Sequence, residues 1–473
     1  MTRTPQDNKL HTALIEFVVE AMSYLRKATD VTQLPTIARF ELREARGHKQ
    51  IAKVERPNWW QVGSYMNPVL GLSTFKDAVE ACFEHPLVKS REGRYAWSPI
   101  GGTPFSLDRV PWEFLTECIV REDGLKFRRR TFEIVFCDLF SFLASGGKNL
   151  ARLIAPLDML RLDGRQIPLG PNARVRPLSS SQIVDLANHC SILRLFYGHE
   201  HYLWFSTVLE LDFTFEWLWF DEEEGHDGWS RIRQIQDSQQ PVRSLTKRLM
   251  EEMILLRCLL KKQVSSPTYV IDYRGWNSVM SSGGQVQYLP WVRPSLPHVL
   301  DIQKSEFKRF TKFREKFLSI QDEKIKRRIF AAMRRLSSTL ERHYAGDILL
   351  DAVAGLEGLL VNEDRELRHQ FAEHAALLLE TQPAKRVKLF QDMRSAYDLR
   401  SRVGHGGVVA DDLFAIMGGD KPIKGKELQE FNAVNRLSRR CSELLHKAIM
   451  ICIDREKVDF DWVSAVMSGG RVT

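Results

Sequence analysis

Residues 325–340 read IKRRIFAAMRRLSSTL, and the spacing of the apolar side chains in this stretch decides the fold of the C-terminal part. The apolar residues follow at steps of four, four, three and four: Ile325, Ile329, Met333, Leu336 and Leu340. Because an α-helix has 3.6 residues per turn, these side chains share one face of an amphipathic helix. The same spacing recurs in two later stretches, at Leu349, Val353, Leu356 and Leu360 and at Leu367, Phe371, Ala375 and Leu378. We therefore expect an all-α bundle over residues 301–473.

Two further helices complete the predicted bundle. The first has a stripe of Val387, Phe390, Arg394 and Tyr397 and begins near Pro383. The second is a long closing helix whose apolar positions are Leu428, Phe431, Leu437, Cys441, Leu444 and Ala448. Each predicted helix has one apolar face, which is typical of helices that pack in an antiparallel bundle.

Residues 1–300 mix helix and strand signals, and we expect an α+β region with one domain or two that divide near residue 150. A first helix is indicated by the spacing of Leu10, Leu14, Phe17, Ala21 and Leu25. A short helix with Phe75, Val79 and Phe83 on one face follows Ser73 and Thr74, which we expect to cap it. The proline cluster Pro290, Pro294 and Pro297 marks the boundary with the C-terminal bundle.

The strand signals begin at about residue 157. Leu160–Leu162 and Gln166–Leu169 flank Asp163-Gly164, a pair that favours a tight turn, so they predict a β-hairpin. Residues 173–178 predict another strand, and Ser179–Ser181 can cap a helix that follows it. The stretch from Tyr202 to Phe220 alternates well enough to indicate strands, with a helix as the alternative.

Composition places the chain among ordinary globular proteins. It has 473 residues, 68 basic and 60 acidic, so its net charge is +8, which permits a polyanionic partner without requiring one. Its seven cysteines are scattered without C-x-x-C spacing, which favours reduced thiols and a cytoplasmic location. The most apolar stretch contains Glu210, Asp212 and Glu216, so we expect no membrane partner.

The positive charge is concentrated in residues 301–345. This stretch holds thirteen basic and six acidic residues, so its net charge is +7. A basic surface attracts the phosphate backbone of RNA, whereas a solvated helix face is the alternative interpretation. The candidate RNA-binding residues are Arg327, Arg328, Arg334 and Arg335.

The segment with the clearest chemical content is residues 397–407, YDLRSRVGHGG. An arginine guanidinium binds phosphate oxygens as a permanent cation, and a histidine titrates near neutrality and can move a proton. Arg400 and His405 are five residues apart, about 140° around an ideal helix, so we expect the glycines to let the chain turn and bring them together. The alternative is that both simply cap the C-terminus of the helix.

Residues 320–455 resemble the Apea-like branch of the HEPN superfamily. The resemblance rests on four features: the helix Ile329–Arg342, the Asp-led helix Asp347–Leu360 with its Leu-Glu-Gly-Leu core, the Ala- and Leu-rich helix Leu367–Leu379, and Tyr397–Gly406 with the R-x4-H pattern. It implies a metal-independent endoribonuclease, as is typical of bacterial anti-phage and stress systems. Ser401 agrees with the Apea-like branch, whereas Gly407 stands where tyrosine-modified HEPN toxins have Tyr.

The resemblance carries roles onto single residues. Arg400 would hold the scissile phosphate, and His405 would take the 2′-hydroxyl proton, so that a 2′,3′-cyclic phosphate forms. One motif supplies a single imidazole, which leads us to expect a homodimer through the bundle. No cofactor and no metal are expected, and the N-terminal region would sense a phage component or another regulatory ligand.

Several alternatives stay open from the sequence. Glu357 either forms a buried ion pair with Arg400 or faces solvent, and for Tyr397 packing in the core is favoured over direct catalysis. His199 and His201 would share a face in a strand, but no third metal ligand accompanies them. The alternative to an enzyme is a non-catalytic HEPN module for RNA binding or protein assembly.

Overall fold

The computed structural model describes residues 4–30, 33–45, 48–59, 62, 68–90, 95–97, 105–144, 148–157, 160–162, 166–189, 207–220, 240–266, 268–273, 275–276, 286–288, 300–361, 366–405 and 425–468. These residues form two units. One consists of the described residues of Met1–Leu249, Ser266–Trp291 and Val299–Asp301, and the other of those of Met250–Ser265 and Ile302–Thr473. The N-terminal unit combines helices with antiparallel sheets, and the C-terminal unit is helical.

The helices of the N-terminal unit are α1 Pro5–Ala28, α2 Ser73–Glu84, α3 Pro86–Lys89, α4 Val110–Glu122, α5 Arg129–Ala144 and α6 Ser180–His189, and α7 Gln240–Leu260 begins in it. The predicted apolar stripe of α1 is confirmed, since Leu10, Leu14, Phe17, Ala21 and Leu25 are all buried. α6 is capped as expected: the Gln182 backbone N–H donates to the Ser179 hydroxyl at 3.3 Å. This cap satisfies a backbone donor that the start of a helix leaves unpaired.

Helix α2 buries a different face from the predicted one. Its buried side chains are Ala78, Ala81 and Cys82, whereas Phe75, Val79 and Phe83 are partly exposed. Together with Trp112 and seven other residues, these three line a groove of about 930 Å³. The expected cap is also wrong, because α2 begins at Ser73 after Leu72 without a side-chain cap. The Thr74 hydroxyl donates instead to Glu20 at 2.6 Å.

Thirteen strands are described: β1 Thr36–Ala45, β2 His48–Pro57, β3 Tyr95–Trp97, β4 Phe105–Ser106, β5 Lys148–Pro156, β6 Leu160–Leu162, β7 Ile167–Pro168, β8 Ala173–Pro177, β9 Thr207–Glu216, β10 Leu218–Phe220, β11 Thr268–Tyr273, β12 Val286–Tyr288 and β13 Leu300–Ile302. β1 and β2 form a two-stranded antiparallel sheet. The largest sheet has the order β12-β11-β5-β9-β8-β7, and every neighbouring pair in it is antiparallel. The smaller sheets have the orders β10-β3-β4 and β13-β6.

The predicted hairpin at residues 160–169 is wrong. β6 pairs with β13, and β7 pairs with β8, with Ile167 opposite Val175. The turn that joins β7 to β8 contains Gly170 at φ 121°, a backbone conformation that favours glycine. Asp163 and Gly164, on which the prediction rested, lie outside the described residues.

The strand interpretation of residues 207–220 is confirmed, and β9 lies inside the largest sheet. Glu210 on β9 is fully buried, and the guanidinium groups of Arg152, Arg174 and Arg176 surround it. Arg152 and Arg174 also bond Asp212, at 2.6 and 2.9 Å. A buried carboxylate needs such partners to offset its lost hydration.

The C-terminal unit contains α8 Lys304–Ser319, α9 Glu323–Thr339, α10 Ala345–Leu360, α11 Leu367–Leu379, α12 Pro383–Gly404, α13 Lys426–Arg455 and α14 Trp462–Met467. The predicted stripe of α10 is confirmed, because Leu349, Val353, Leu356 and Leu360 are all fully buried. α10 packs against α9, α12 and α13. A Cβ at Gly355 would lie 2.7 Å from the Leu445 side chain of α13, so glycine is what permits this close approach.

Two expectations for the C-terminal part are corrected. α12 buries Leu389, Met393, Ala396 and Leu399, rather than the stripe that begins at Val387, whose side chain is 61% exposed. The predicted boundary at residue 300 also assigns Met250–Ser265 to the wrong part, since this segment belongs to the helical unit. The physical reason is a set of polar contacts of α7 with α8 and α9, which includes a bidentate bond from the Arg314 guanidinium to Glu252 at 2.6 and 2.8 Å.

Candidate functional site

The candidate site lies between the C-terminal ends of helices α10 and α12. The buried side chains of α12, which include Met393, Ala396 and Leu399, fix the rotation of that helix. Tyr397 and Arg400 are therefore one position beyond the buried stripe and are partly exposed. Glu357 occupies the last turn of α10, also at the edge of its buried face. Helix packing thus places these three polar side chains together.

Arg400 is held by two neighbours. Its guanidinium lies 3.2 Å from Glu357 Oε2, and it also lies over the Tyr397 ring, 5.4 Å from the ring centroid. The Tyr397 hydroxyl reaches Glu357 Oε1 at 3.4 Å. The ion pair predicted for Glu357 is present, but it is only partly buried, since the Glu357 side chain keeps 21% of its surface exposed. Arg400 keeps 30% of its side-chain surface exposed, so solvent still reaches the cation.

Tyr397 combines packing with polar contact. Its ring lies against Phe371 of α11, with 5.6 Å between the ring centroids. Burial, and then the charge of Glu357, raises the pKa of the Tyr397 phenol above its ordinary value. The hydroxyl therefore stays protonated at neutral pH and can donate to the Glu357 carboxylate.

His405 is separated from this cluster along the helix. α12 continues without a break through Gly404, and His405 follows as its C-cap, with backbone N–H bonds to the Ser401 and Arg402 carbonyls at 3.1 and 3.2 Å. The expected turn between Arg400 and His405 is therefore absent, and the two positions differ by about 140° around the helix and about 7.5 Å along it. The His405 side chain is exposed, and its imidazole makes no hydrogen bond to any residue that the structure describes.

Ser401 and Gly404 contribute little to the geometry of the cluster. The Ser401 side chain is exposed, and its carbonyl accepts the backbone bond of His405. A Cβ at Gly404 would meet the Leu350 side chain at 3.6 Å, which is ordinary contact. Gly406 and Gly407 lie outside the described residues.

The four arginines predicted to bind RNA fall into two groups. Arg328 donates to the Gly358 and Leu359 carbonyls and to Asp459, and Arg335 donates to Asp351 at 2.9 Å. These two are engaged in contacts within the unit. Arg327 and Arg334 are exposed on α9, and their guanidinium groups form neither an ion pair nor a hydrogen bond with the described part of the chain.

Asp351 is a buried charged residue that the sequence motifs did not single out. This carboxylate is buried in α10 and accepts from Arg335 and from Arg342 Nε, the latter at 3.0 Å. It stands in the Asp-led helix beside the apolar positions Ala352 and Val353. A charged residue among buried neighbours was the available signal, since such a residue needs a partner of opposite charge.

Reactive cysteines, metal-ligating groups and membrane-spanning helices would also bear on function in the described residues. The six described cysteines are free, and all except Cys137 are buried. Burial raises the pKa of the Cys82 thiol to about 12, which disfavours its thiolate. Among the described residues, no group of three or more metal-ligating side chains is found, and no described helix could cross a bilayer. His199 and His201 lie outside them.

Comparisons of this chain with protein-family profiles, with curated proteins and with solved structures found no match.

Proposed function

We propose that residues 320–455 form a HEPN-type, metal-independent endoribonuclease that works as a homodimer in the cytoplasm. The observation that carries the proposal is a partly exposed arginine, Arg400, held by Glu357 and Tyr397 at the C-terminal end of a helix that His405 terminates. The motif resemblance assigns Arg400 and His405 to RNA cleavage. A fixed guanidinium suits a phosphodiester, because its planar donors match phosphate oxygens.

In the proposed reaction, the 2′-hydroxyl of the RNA attacks the adjacent phosphorus. His405 accepts the hydroxyl proton, the bond between phosphorus and the 5′-oxygen breaks, and a 2′,3′-cyclic phosphate remains. The leaving 5′-oxygen takes a proton from a second imidazole. Arg400 stabilises the negative charge that develops on the phosphate oxygens during attack.

The proposed reaction requires a composite site, because the expected approach of His405 to Arg400 within one chain is not found. Arg400 and His405 occupy positions on different sides of the unbroken helix. A second copy of the motif across a two-fold axis would bring another imidazole to the same phosphate, and it would supply the acid for the leaving group. On this proposal the specific activity falls when the protein is diluted below its dimer dissociation constant, which sedimentation and cleavage assays measure in parallel.

The surface of α9 supports RNA as the partner. Lys324, Arg327 and Arg334 are exposed at positions three and seven residues apart, so they form one basic stripe along the helix. An exposed row of cations binds a phosphate backbone and releases its counterions.

The alternative function is a HEPN module that binds RNA or assembles with protein without cleaving. The favouring observation is that Glu357 already compensates the charge of Arg400, and that the imidazole of His405 has no hydrogen-bond partner among the described residues. Such a module would keep the bundle and the basic stripe and would not need proton transfer.

Cleavage assays in EDTA separate the two functions. We expect the wild-type chain to cut RNA and to leave cyclic phosphate ends. We expect Arg400→Ala and His405→Ala each to reduce the rate by about a hundredfold or more. Arg439→Ala and His343→Ala are matched controls, because both side chains are exposed in the same unit and form no hydrogen bond to the described residues.

Binding without cutting in the wild type would support the module, and an activity that EDTA removes would contradict the proposed mechanism.

For the N-terminal unit we propose a restraining role in anti-phage defence or stress. A ribonuclease that is harmful to its host needs control, and this unit comprises more than half of the chain.

A further inference from the structure

The last turn of α10, which carries Glu357, has every one of its terminal carbonyls satisfied. The Glu357 carbonyl accepts from the Val361 backbone at 2.9 Å. The carbonyls of Gly358 and Leu359 each accept from Arg328, at 3.1 Å in both cases. A helix end normally leaves four carbonyls without helical partners, so the source of these bonds matters.

The fourth carbonyl is satisfied by a buried histidine. His374 of α11 lies 2.7 Å from the Leu360 carbonyl through its Nδ1. Because a carbonyl can only accept, His374 Nδ1 carries the proton in this bond. Two side chains from other helices, Arg328 and His374, therefore supply three of the four caps, and the Arg328 charge also complements the negative end of the helix dipole.

Both capping side chains are in turn held by the same stretch of chain near the C-terminus. Asp459 bonds Arg328 Nη1 at 2.6 Å. The Trp462 ring stacks on His374 with 4.0 Å between centroids and an interplanar angle of 6°. Residues 458–462 thus contact both groups that cap α10, and we name this segment the C-terminal strap.

The strap is anchored independently of these two contacts. Val458 and Phe460 are buried, with 1% and 5% of their surfaces exposed. Asp461 caps α14 by accepting from the Ser464 backbone at 2.9 Å. The strap therefore has a fixed conformation of its own from which Asp459 and Trp462 can act.

We propose that the C-terminal strap is a positioning element, which holds Arg328 and His374 on the end of α10 and thereby fixes Glu357 against Arg400. Glu357 lies one residue before the first carbonyl that Arg328 caps, so fraying of this turn would displace its carboxylate from the guanidinium. The inference deepens the proposed function, because the site it controls is the proposed RNA site. Its structural part does not depend on RNA cleavage.

Hydrogen exchange of the full-length protein tests the proposal. We expect Trp462→Ala to speed exchange in peptides that cover residues 357–361 and 397–404 by about three- to tenfold, the effect of losing one hydrogen bond. Exchange in the middle of α13 should stay unchanged, which shows that the unit remains folded. Trp462→Phe keeps a flat ring for His374 and should restore slow exchange.

Two matched substitutions act as controls. Val463→Ala changes an adjacent residue whose side chain is 75% exposed, and it should leave both peptides unchanged. Asp459→Asn should speed hydrogen exchange at residues 357–361. Asp454→Asn removes a surface ion pair with Lys316 and should leave exchange at these residues unchanged. If Trp462→Ala leaves exchange at residues 357–361 unchanged in the folded protein, the strap proposal is overturned. That result is separate from any result of the RNA cleavage assay.

Discussion

The Glu357 carboxylate lies 3.2 Å from the Arg400 guanidinium, and both side chains keep part of their surface in solvent, 21% and 30% respectively. Such a pair holds the arginine in place, yet it stays accessible to an incoming anion. Its strength is that of a partly exposed ion pair, since water screens both charges. The pair can therefore orient Arg400 without burying it.

A double-mutant cycle measures this pair. We expect Glu357→Gln and Arg400→Gln to show a coupling free energy of about 0.5–1 kcal/mol in urea unfolding, and we expect 1 M salt to reduce it. The pair Asp392 and Arg436, where the arginine is 62% exposed, is the comparison and should couple more weakly. Equal coupling at both pairs would contradict a special role for Glu357.

Two glycines in α10 should respond oppositely to alanine. At Gly355 a Cβ would lie 2.7 Å from Leu445 and 3.1 Å from the Arg335 Cβ, so Gly355→Ala should lower the free energy of unfolding by about 1–3 kcal/mol. At Gly358 a Cβ would meet no described atom within 4 Å. Gly358→Ala should therefore raise the free energy of unfolding by about 0.5–1 kcal/mol, because alanine has a higher helix propensity than glycine. Denaturant titration measures both changes. A stabilising Gly355→Ala would show that the two helices can move apart.

Three of the four candidate RNA-binding arginines should separate into two classes. Arg327→Gln and Arg334→Gln should weaken RNA binding and lower the slope of log affinity against log salt by about one each. Arg328→Gln should instead lower the stability of the C-terminal unit, because it removes two caps and an ion pair. Filter binding over a salt series, with thermal unfolding of each variant, distinguishes these outcomes.

His446 should make stability depend on pH. Burial, and then the nearby Lys261 and Arg309 charges, lowers the pKa of His446 to about 4 from its ordinary 6.5. Between these values the unfolded chain binds a proton at this residue and the folded protein does not, so stability is lost as the pH falls from about 6.5 to 4.

His446→Gln removes this titration. As the pH falls across that range, the wild type should therefore lose stability relative to His446→Gln. Urea unfolding at pH 7, 5.5 and 4.5 measures it, and a difference that is constant with pH would contradict the assignment.

Local periodicity predicted elements well where one apolar stripe dominates. The α10 stripe through Leu349, Val353 and Leu356 is such a case, and all three are fully buried. In α12 two partial stripes compete, and the sequence alone favoured the one through Val387. Packing against α10 and α11 selected the face of Leu389 and Met393 instead, a choice that depends on residues distant in sequence.

For the same reason, the sequence did not predict pairings between residues that are far apart along the chain. The Asp-Gly pair suggested a local hairpin, whereas β6 pairs with β13, whose residues lie about 140 positions later. The role of Arg328 was likewise hidden, because its partners Gly358 and Asp459 belong to other elements. The HEPN resemblance, and not spacing alone, led us to single out Arg400 and His405, whereas the unbroken helix between them became visible only in the structure.

The buried Glu210, with Arg152, Arg174 and Arg176 around it, has a consequence for how this chain can diverge. A lineage that lost one of the arginines alone would keep a less well compensated anion inside the sheet. One that lost Glu210 alone would leave Arg176 without its carboxylate partner and Arg152 and Arg174 with Asp212 alone. These positions are therefore expected to be inherited as a group or exchanged as a group, and related chains could be recognised by that joint pattern even where the surrounding sequence has drifted.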